Sequence, residues 1–240
     1  MQKLFVDEVN GEKILLDGES ARHIAKSLRM RVGDMLTVTD GKGIDYGCQI
    51  SAIDRECVEL KICYEKPNTS EPSCRVTIYQ GIPKGQKLED IIQKCVELGV
   101  YEIVPTLTAR CVSRPEEKSA AKKIQRYQKI ALEASQQSGR GIVPKISEVK
   151  TIAQAVENDE SELKIVFYEG GGEPLRDIIL PDVKSVSIYI GSEGGFEHSE
   201  VELIESVGGV RATLGKRILR TQTAPVAALT GIMLLTGNLD

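Results

Sequence analysis

The sequence predicts an α/β protein in two parts, a small β-rich barrel domain followed by a domain with a mainly parallel sheet. Three observations predict this. Short runs of alternating apolar and polar residues crowd residues 1–72, separated by turn-forming dipeptides. The segment Lys66-Pro67-Asn68-Thr69-Ser70-Glu71-Pro72 then has the composition of a linker. Beyond it, apolar strand-like runs alternate with helical segments, the pattern of βαβ units.

In the first part the strand candidates are KLFVDEV (3–9), KILLDG (13–18), MLTVTD (35–40), YGCQISAI (46–53) and CVELKICY (57–64). Turn signals stand at Asn10-Gly11, Asp17-Gly18 and Asp40-Gly41. One helix is expected over Glu19–Leu28, with Ser20 as its N-cap. Several short strands at such spacing read as a small barrel. In the second part come a strand RVTIYQGI (75–82), a helix QKLEDIIQKCVELG (86–99) and a strand YEIVPTL (101–107). A helix over Glu116–Gln137 follows, then strands KIVFYE (164–169) and VSIYIG (186–191), a helix over Glu200–Val207, a strand VRATLG (210–215) and a terminal helix. Ser199 with Glu202 forms a capping-box pattern for the helix at 200.

Composition bounds the function. The chain has 240 residues, 41% hydrophobic and 28% charged, with no Trp and three Phe, so a soluble globular protein with an aliphatic core is expected. A net charge of −4 argues against a nonspecific polycation, but local basic patches suffice for nucleic acid. Cys48, Cys57, Cys63, Cys74, Cys95 and Cys111 form no C-x-x-C pair and have no His at ligand spacing, so no metal site is expected. The N-terminus lacks a signal-peptide pattern, and reduced thiols in a cytoplasmic protein are the expectation. The uncharged stretch Thr221–Leu239 holds four Thr, two Gly, a Gln, an Asn and a Pro, which reads as a buried terminal helix rather than a membrane span.

Three loops each follow a predicted strand of the second part: Tyr168-Glu169-Gly170-Gly171-Gly172, Gly191-Ser192-Glu193-Gly194-Gly195-Phe196, and Leu214 through Thr221. In open α/β sheets ligands bind beyond the carboxyl ends of the strands, and glycine lets backbone approach them closely. The three loops therefore read as one composite pocket, the alternative being ordinary strand-to-helix turns. Neither G-x-x-x-x-G-K-[ST] nor G-x-G-x-x-G occurs, and Glu193 would repel a phosphate. S-adenosylmethionine, with an adenosine, a sulfonium and no phosphate, fits such a pocket.

LGKRILRTQTAPVAAL (214–229), with GSEGGF (191–196) upstream, closely resembles the RsmE-type family of ribosomal RNA uridine-N3 methyltransferases, within the SPOUT superfamily. HIAKSLRMRVGDMLTVTDGKG (23–43) and QQSGRGIVP (136–144) match the same pattern, so the resemblance spans essentially the whole chain. It implies a PUA-like barrel over 1–72 and a SPOUT domain with a trefoil knot over 73–240. It also implies a homodimer, S-adenosylmethionine as cofactor, and methylation of uridine N3 in small-subunit (16S) ribosomal RNA, in an assembled particle. The sequence departs from the family pattern at Gln222, where Glu is more frequent, and at Ser192 and Lys216, where Pro is common.

Cofactor contacts are then expected from Tyr168, Glu169, Gly191, Glu193, Gly194, Gly195, Leu214, Gly215, Ile218, Leu219, Arg220, Thr221 and Ala224. Uracil N3 attacks only after losing its proton, which leaves negative charge on O2 and O4. Arg220, always charged, can stabilise that anion but is a poor base. Glu193 is the second candidate for the chemistry, as proton acceptor or ligand contact. His198 near the glycine loop and His23 in the barrel read as structural. RNA contacts are expected from Arg22, Lys26, Arg29 and Arg31, four cations in ten residues without an acid, and from Arg140 in Ser138-Gly139-Arg140-Gly141. The run Arg211, Lys216, Arg217, Arg220 lies at the pocket, whereas Lys122, Lys123, Arg126 and Lys129 read as a solvated helix face. Two other functions compete: a non-catalytic RNA-binding protein on a SPOUT scaffold, and a small-molecule transferase, against which the basic run and separate barrel count.

Overall fold

The computed structural model describes residues 3–239 apart from 7, 10, 55, 56, 115 and 116, and apart from the side chains of Ser27, Glu117 and Lys118. Asn10 of the expected Asn10-Gly11 turn, Asp7 of the first run and Glu116 at the expected start of the long helix lie outside the described residues. The chain divides into two compact units, Met1–Glu71 with Ser135–Val143, and Pro72–Ala134 with Pro144–Asp240.

The first unit contains β1 (Lys3–Phe5), β2 (Lys13–Asp17), α1 (Gly18–Arg22), β3 (Met35–Thr39), β4 (Ile44–Ile53) and β5 (Cys57–Pro67). They form a curled five-stranded sheet in the order β1-β3-β4-β5-β2. Register shifts at Gly47/Cys48 and Ile50/Ala52 interrupt the β4–β5 ladder, and such bulges bend and twist a sheet. Alternate residues point inward: Ile14 and Leu16, Leu36 and Val38, Cys48 and Ile50, Val58 and Leu60 pack with Ala21 and Ile24 of the helical segment. Helix α1 continues as a single π-turn over His23–Ser27. Its N-cap is Asp17, not Ser20, which lies within the first turn.

Ser135–Val143 joins this unit through polar contacts that no composition change announces. The Gly139 carbonyl accepts from Lys3 Nζ at 2.7 Å and from Ser70 Oγ at 3.1 Å. Lys3, itself buried, pairs with Asp45 at 2.9 Å.

The second unit begins with β6 (Arg75–Gly81), α2 (Lys87–Glu97), β7 (Glu102–Leu107) and α3 (Glu117–Ser138), whose last turn belongs to the first unit. Then come β8 (Lys145–Ile146), β9 (Lys150–Thr151), α4 (Ile152–Glu157), β10 (Leu163–Phe167), β11 (Glu173–Pro174) and α5 (Leu175–Ile178). The chain ends with β12 (Ser185–Ile190), α6 (His198–Ser206), β13 (Val210–Thr213) and α7 (Ala224–Leu235). The sheet is parallel throughout, in the order β11-β13-β10-β12-β6-β7-β8, with β9 also on β7.

Both faces of this sheet are covered, so its central strands are apolar almost continuously. Ile78, Ile103, Ile165 and Ile188 stand in register on one face. Tyr79, Val104, Val166 and Tyr189 stand on the other, with Ala155, Val156, Val201 and Ile204 of α4 and α6 against them. Tyr79 and Tyr189 stack with ring centroids 4.6 Å apart. Among the described residues no helix is long and apolar enough to cross a membrane.

Candidate functional site

Strands β13, β10 and β12 are adjacent and parallel, so their carboxyl ends lie side by side. The three loops that leave them line a single cleft of about 800 Å³. Of the residues expected at a cofactor, Tyr168, Glu169, Gly191, Glu193, Gly195, Leu214, Gly215, Ile218, Leu219, Arg220, Thr221 and Ala224 all line it. Phe167, Ile190 and Phe196 add apolar wall. Gly195 adopts φ +68°, a left-handed conformation that glycine reaches at no steric cost.

Gly194 does not line the cleft. A Cβ there would come within 2.8 Å of the Arg110 Cβ. Its missing side chain admits the loop after β7, and Arg110 Nη1 donates to the Gly194 carbonyl at 3.1 Å. This partner lies 84 residues away along the chain, beyond the reach of any local sequence pattern.

A buried polar network closes the cleft's inner end. Thr221 Oγ1 donates to the Gly191 carbonyl at 2.8 Å and accepts from Gln80 Nε2 at 3.1 Å. Gln80 is wholly buried and its Oε1 has no partner. Ser192, also buried and on the cleft wall, has an Oγ without a partner among the described residues. A buried hydroxyl with nothing to bond is costly, and a ligand in the cleft is the natural partner for it.

Glu169 and Glu193 are the acids of the lining. Glu193 accepts from Lys87 Nζ at 2.6 Å and from the Lys84 N–H at 3.2 Å. Partial desolvation raises its pKa, but the hydrogen bonds from Lys87, its own N–H and the Lys84 N–H outweigh this and leave the carboxyl below its ordinary value. A carboxylate held ionised in this way is a weaker proton acceptor than an ordinary one. Glu169 faces Arg110 across 3.9 Å, with about half of each side chain exposed.

Arg220 lines the cleft, is exposed, and has no carboxylate partner among the described residues. Tyr168 is fixed from two sides: a Cβ at Gly170 would lie 2.5 Å from its ring, and the Arg211 guanidinium sits 5.8 Å from the ring centroid. Glu205 anchors Arg211 at 2.6 Å, so Arg211, expected at the pocket, props the wall rather than lining it. Helix α6 is capped by Glu200 Oε2, which accepts from the Glu197 N–H at 2.8 Å. The expected Ser199–Glu202 box is therefore displaced by two residues, and Glu200 Oε1 meanwhile accepts from the Ala109 N–H.

In the first unit Arg22, Lys26, Arg29 and Arg31 are all exposed along α1, the π-turn and the residues after it. Arg29 has φ +53°, the single positive value at a non-glycine residue among those described, and it turns the chain out of the helix. Arg140 differs from the other expected RNA contacts. It is 4% exposed, and its Nη2 and Nε donate to the Glu71 carboxylate at 2.6 and 3.2 Å. A guanidinium buried on a carboxylate is not presented to a phosphate, so its place is structural. Among the described residues no group of three or more His, Cys, Asp or Glu is placed to hold a metal ion.

Comparison with known proteins agrees with this geometry. A family model described as an RNA methyltransferase domain matches residues 69–233, and one described as an RNA methyltransferase PUA domain matches 16–63. Ribosomal RNA small subunit methyltransferase E of Bacillus subtilis is 36% identical over 225 residues, covering 90% of this chain and 88% of that protein. The protein of the same name from Buchnera aphidicola subsp. Acyrthosiphon pisum is 30% identical, over 93% of this chain and 88% of its own. A crystal structure of ribosomal RNA small subunit methyltransferase E from Neisseria gonorrhoeae bound to S-adenosyl methionine superposes with a TM-score of 0.90 at 31% identity, over 98% of both chains.

Proposed function

We propose that this chain, which belongs to the RNA methyltransferase family that includes ribosomal RNA small subunit methyltransferase E, methylates N3 of a uridine in small-subunit ribosomal RNA with S-adenosylmethionine as donor. The observation that carries the reading is the convergence of three loops on one cleft of about 800 Å³, a size suited to a small-molecule cofactor. The residues present fit this cofactor. The wall is mostly apolar, the Ser192 hydroxyl lacks a partner, and bare glycine backbone reaches the cleft at Gly191 and Gly195. Neither acid of the lining would suit a phosphate.

Bound S-adenosylmethionine supplies an electrophilic methyl group on a sulfonium. The chain's own residues hold the two reactants in line and manage the charge that uracil acquires. Alignment of reacting groups lowers the barrier by removing translational and rotational search. Arg220, a cation on the cleft with no carboxylate partner among the described residues, is placed to stabilise charge on O2 or O4 of the deprotonated uracil. The exposed cations Arg22, Lys26, Arg29 and Arg31 of the PUA-like unit dock the RNA through its phosphates.

The domain limits 1–72 and 73–240, a trefoil knot in the latter, a cytoplasmic setting and an assembled subunit as substrate belong to the same proposal. So does a homodimer built on the second unit. Helix α7 buries Ala228, Leu229, Ile232 and Met233 inwardly, yet Leu234 is 56% exposed and Val226, Ala227 and Leu235 are half-buried. An apolar outer face of that kind is covered by a second copy. A monomeric mass by light scattering at micromolar concentration contradicts the dimer.

The decisive experiment incubates the purified chain with S-adenosylmethionine and small ribosomal subunits from cells lacking this methylation, followed by mass mapping of nucleosides. The expected product is 3-methyluridine at one site. Cofactor binding without methyl transfer to any ribosomal substrate would instead support the RNA-binding alternative.

A further inference from the structure

The sequence assigned RNA contacts mainly to the barrel, but the carboxyl edge of the second unit's sheet gathers cations from loops far apart in sequence. Lys84 and Lys87 follow β6, Arg110 and Arg114 follow β7, and Lys216, Arg217 and Arg220 follow β13. They surround the glycine turn after β12. On one side the Lys84 N–H and Lys87 Nζ hold Glu193. Arg110 Nη1 donates to the Gly194 carbonyl. Arg114 Nη2 donates to the Ala109 carbonyl at 3.3 Å, keeping its guanidinium on the same loop. On the other side Lys216, Arg217 and Arg220 share the cleft lining with Glu193.

The acids of the lining do not neutralise this edge. Glu193 is taken by Lys87 and Glu169 by Arg110. Lys84, Arg114, Lys216, Arg217 and Arg220 have no carboxylate partner among the described residues, in a chain whose net charge is −4. Like charges held close together repel, and in an acidic protein such a concentration is the electrostatic footprint of a polyanion.

We propose that Lys84, Arg110 and Arg114 form a phosphate track for single-stranded RNA that leads the target strand past the glycine turn into the cleft, an assignment that rests on the methyltransferase reading above. Single-stranded RNA follows from the chemistry: N3 lies on the pairing edge of uracil, so the reacting base must be unpaired and splayed from its neighbours. The phosphates on either side then need cations at the cleft mouth, separate from those on the PUA-like unit.

The test uses the full chain with a fluorescein-labelled, mixed-sequence single-stranded RNA dodecamer, its anisotropy read across a salt series. Lys84→Ala/Arg114→Ala is expected to bind about tenfold more weakly. Its slope of log affinity against log salt should be shallower by about 1.4, since two contacts at roughly 0.7 each are lost. Lys84→Arg/Arg114→Lys keeps the charge and should restore both values. S-adenosylmethionine affinity by calorimetry should match wild type in both variants. Wild-type RNA affinity and slope in the alanine variant overturn the track, as does an equal loss in the charge-preserving variant. Failure of the methyltransferase reading would register separately, as absence of methyl transfer from S-adenosylmethionine to small ribosomal subunits by the unaltered chain.

Discussion

Thr221 Oγ1 donates to the Gly191 carbonyl at 2.8 Å, tying the end of the last cleft loop to the start of the glycine turn. Gln80 Nε2 donates to the same hydroxyl at 3.1 Å, so one buried hydroxyl serves two partners. Thr221→Val keeps the shape and removes both bonds, although Gln80 Nε2 still donates to the Gly81 carbonyl at 3.0 Å. We expect a loss of roughly 1–3 kcal/mol of stability, from two buried hydrogen bonds at about 0.5–1.5 kcal/mol each. Cofactor affinity should fall with it, because the loop's position depends on that anchor. Chemical denaturation and calorimetry check the two effects, and unchanged values for both contradict the anchoring role.

Ser192→Ala separates folding from binding. In the free protein the Ser192 Oγ is buried without a partner, so removing it should leave stability unchanged or raise it by up to about 1 kcal/mol. If the hydroxyl bonds the cofactor, affinity should drop about tenfold, or 1.4 kcal/mol. Gly195→Val acts differently. It forces a β-branched residue to φ +68°, with its Cβ 3.7 Å from Glu169, and should weaken both stability and cofactor binding. A Ser192→Ala protein that binds S-adenosylmethionine as wild type does excludes that hydrogen bond.

Arg140 and Arg29 make opposite predictions from similar sequence contexts. Arg140→Ala leaves Glu71 without its guanidinium partner in a mostly buried setting, at a cost of about 2–4 kcal/mol in stability. RNA affinity and its salt slope should not change, since Arg140 is 4% exposed. Arg29→Ala should do the reverse: little effect on folding and a shallower salt slope. A salt slope lowered by Arg140→Ala in a folded protein contradicts its structural assignment.

Glu193 gives a pH dependence whose sign is fixed by its lowered pKa. Its folded-state value lies below the unfolded one, so it contributes stability above the ordinary carboxylate range, near pH 4.3. That contribution disappears as pH falls through the folded-state value. Lys87→Met removes the ammonium at 2.6 Å and should shift the Glu193 titration upward. Carboxyl NMR titration reads this directly, and an unmoved titration curve contradicts the assignment of Lys87 as a main cause.

What the sequence disclosed was local, and what it concealed was long-range. The strand β6 was visible because its apolar run, Val76 to Tyr79, is short and local, with the linker before it and a helical pattern after it. The three cleft loops were visible because each directly follows a strand. The packing of Gly194 on Arg110 was not legible, because Arg110 sits in a loop after a different strand. Arg140 looked like a phosphate ligand between two glycines. Only the fold shows that its loop lies on Glu71, whose carboxylate also takes the Gly141 N–H at 2.9 Å. Ser20 and Ser199 are good capping residues displaced by Asp17 and Glu197, within the uncertainty that helix ends carry in any sequence pattern.

The last prediction concerns Arg220, and the structure narrows it. The Arg220 guanidinium lies on the cleft with no carboxylate partner among the described residues, so it is not half of an ion pair there. Its charge is therefore available to the substrate. If it meets uracil only when N3 has lost its proton, Arg220→Ala should lower the single-turnover rate even with RNA and cofactor saturating. Removing one such donor costs on the order of 10²–10³ in rate. RNA and cofactor affinities should change little, the mark of an interaction made in the transition state. Arg29→Ala/Arg31→Ala should show the opposite split, weaker docking with normal turnover once RNA is saturating. Lys at position 220 restores the charge but not the forked geometry, and should recover part of the rate. A wild-type single-turnover rate in Arg220→Ala at saturation would place Arg220 among the docking cations instead.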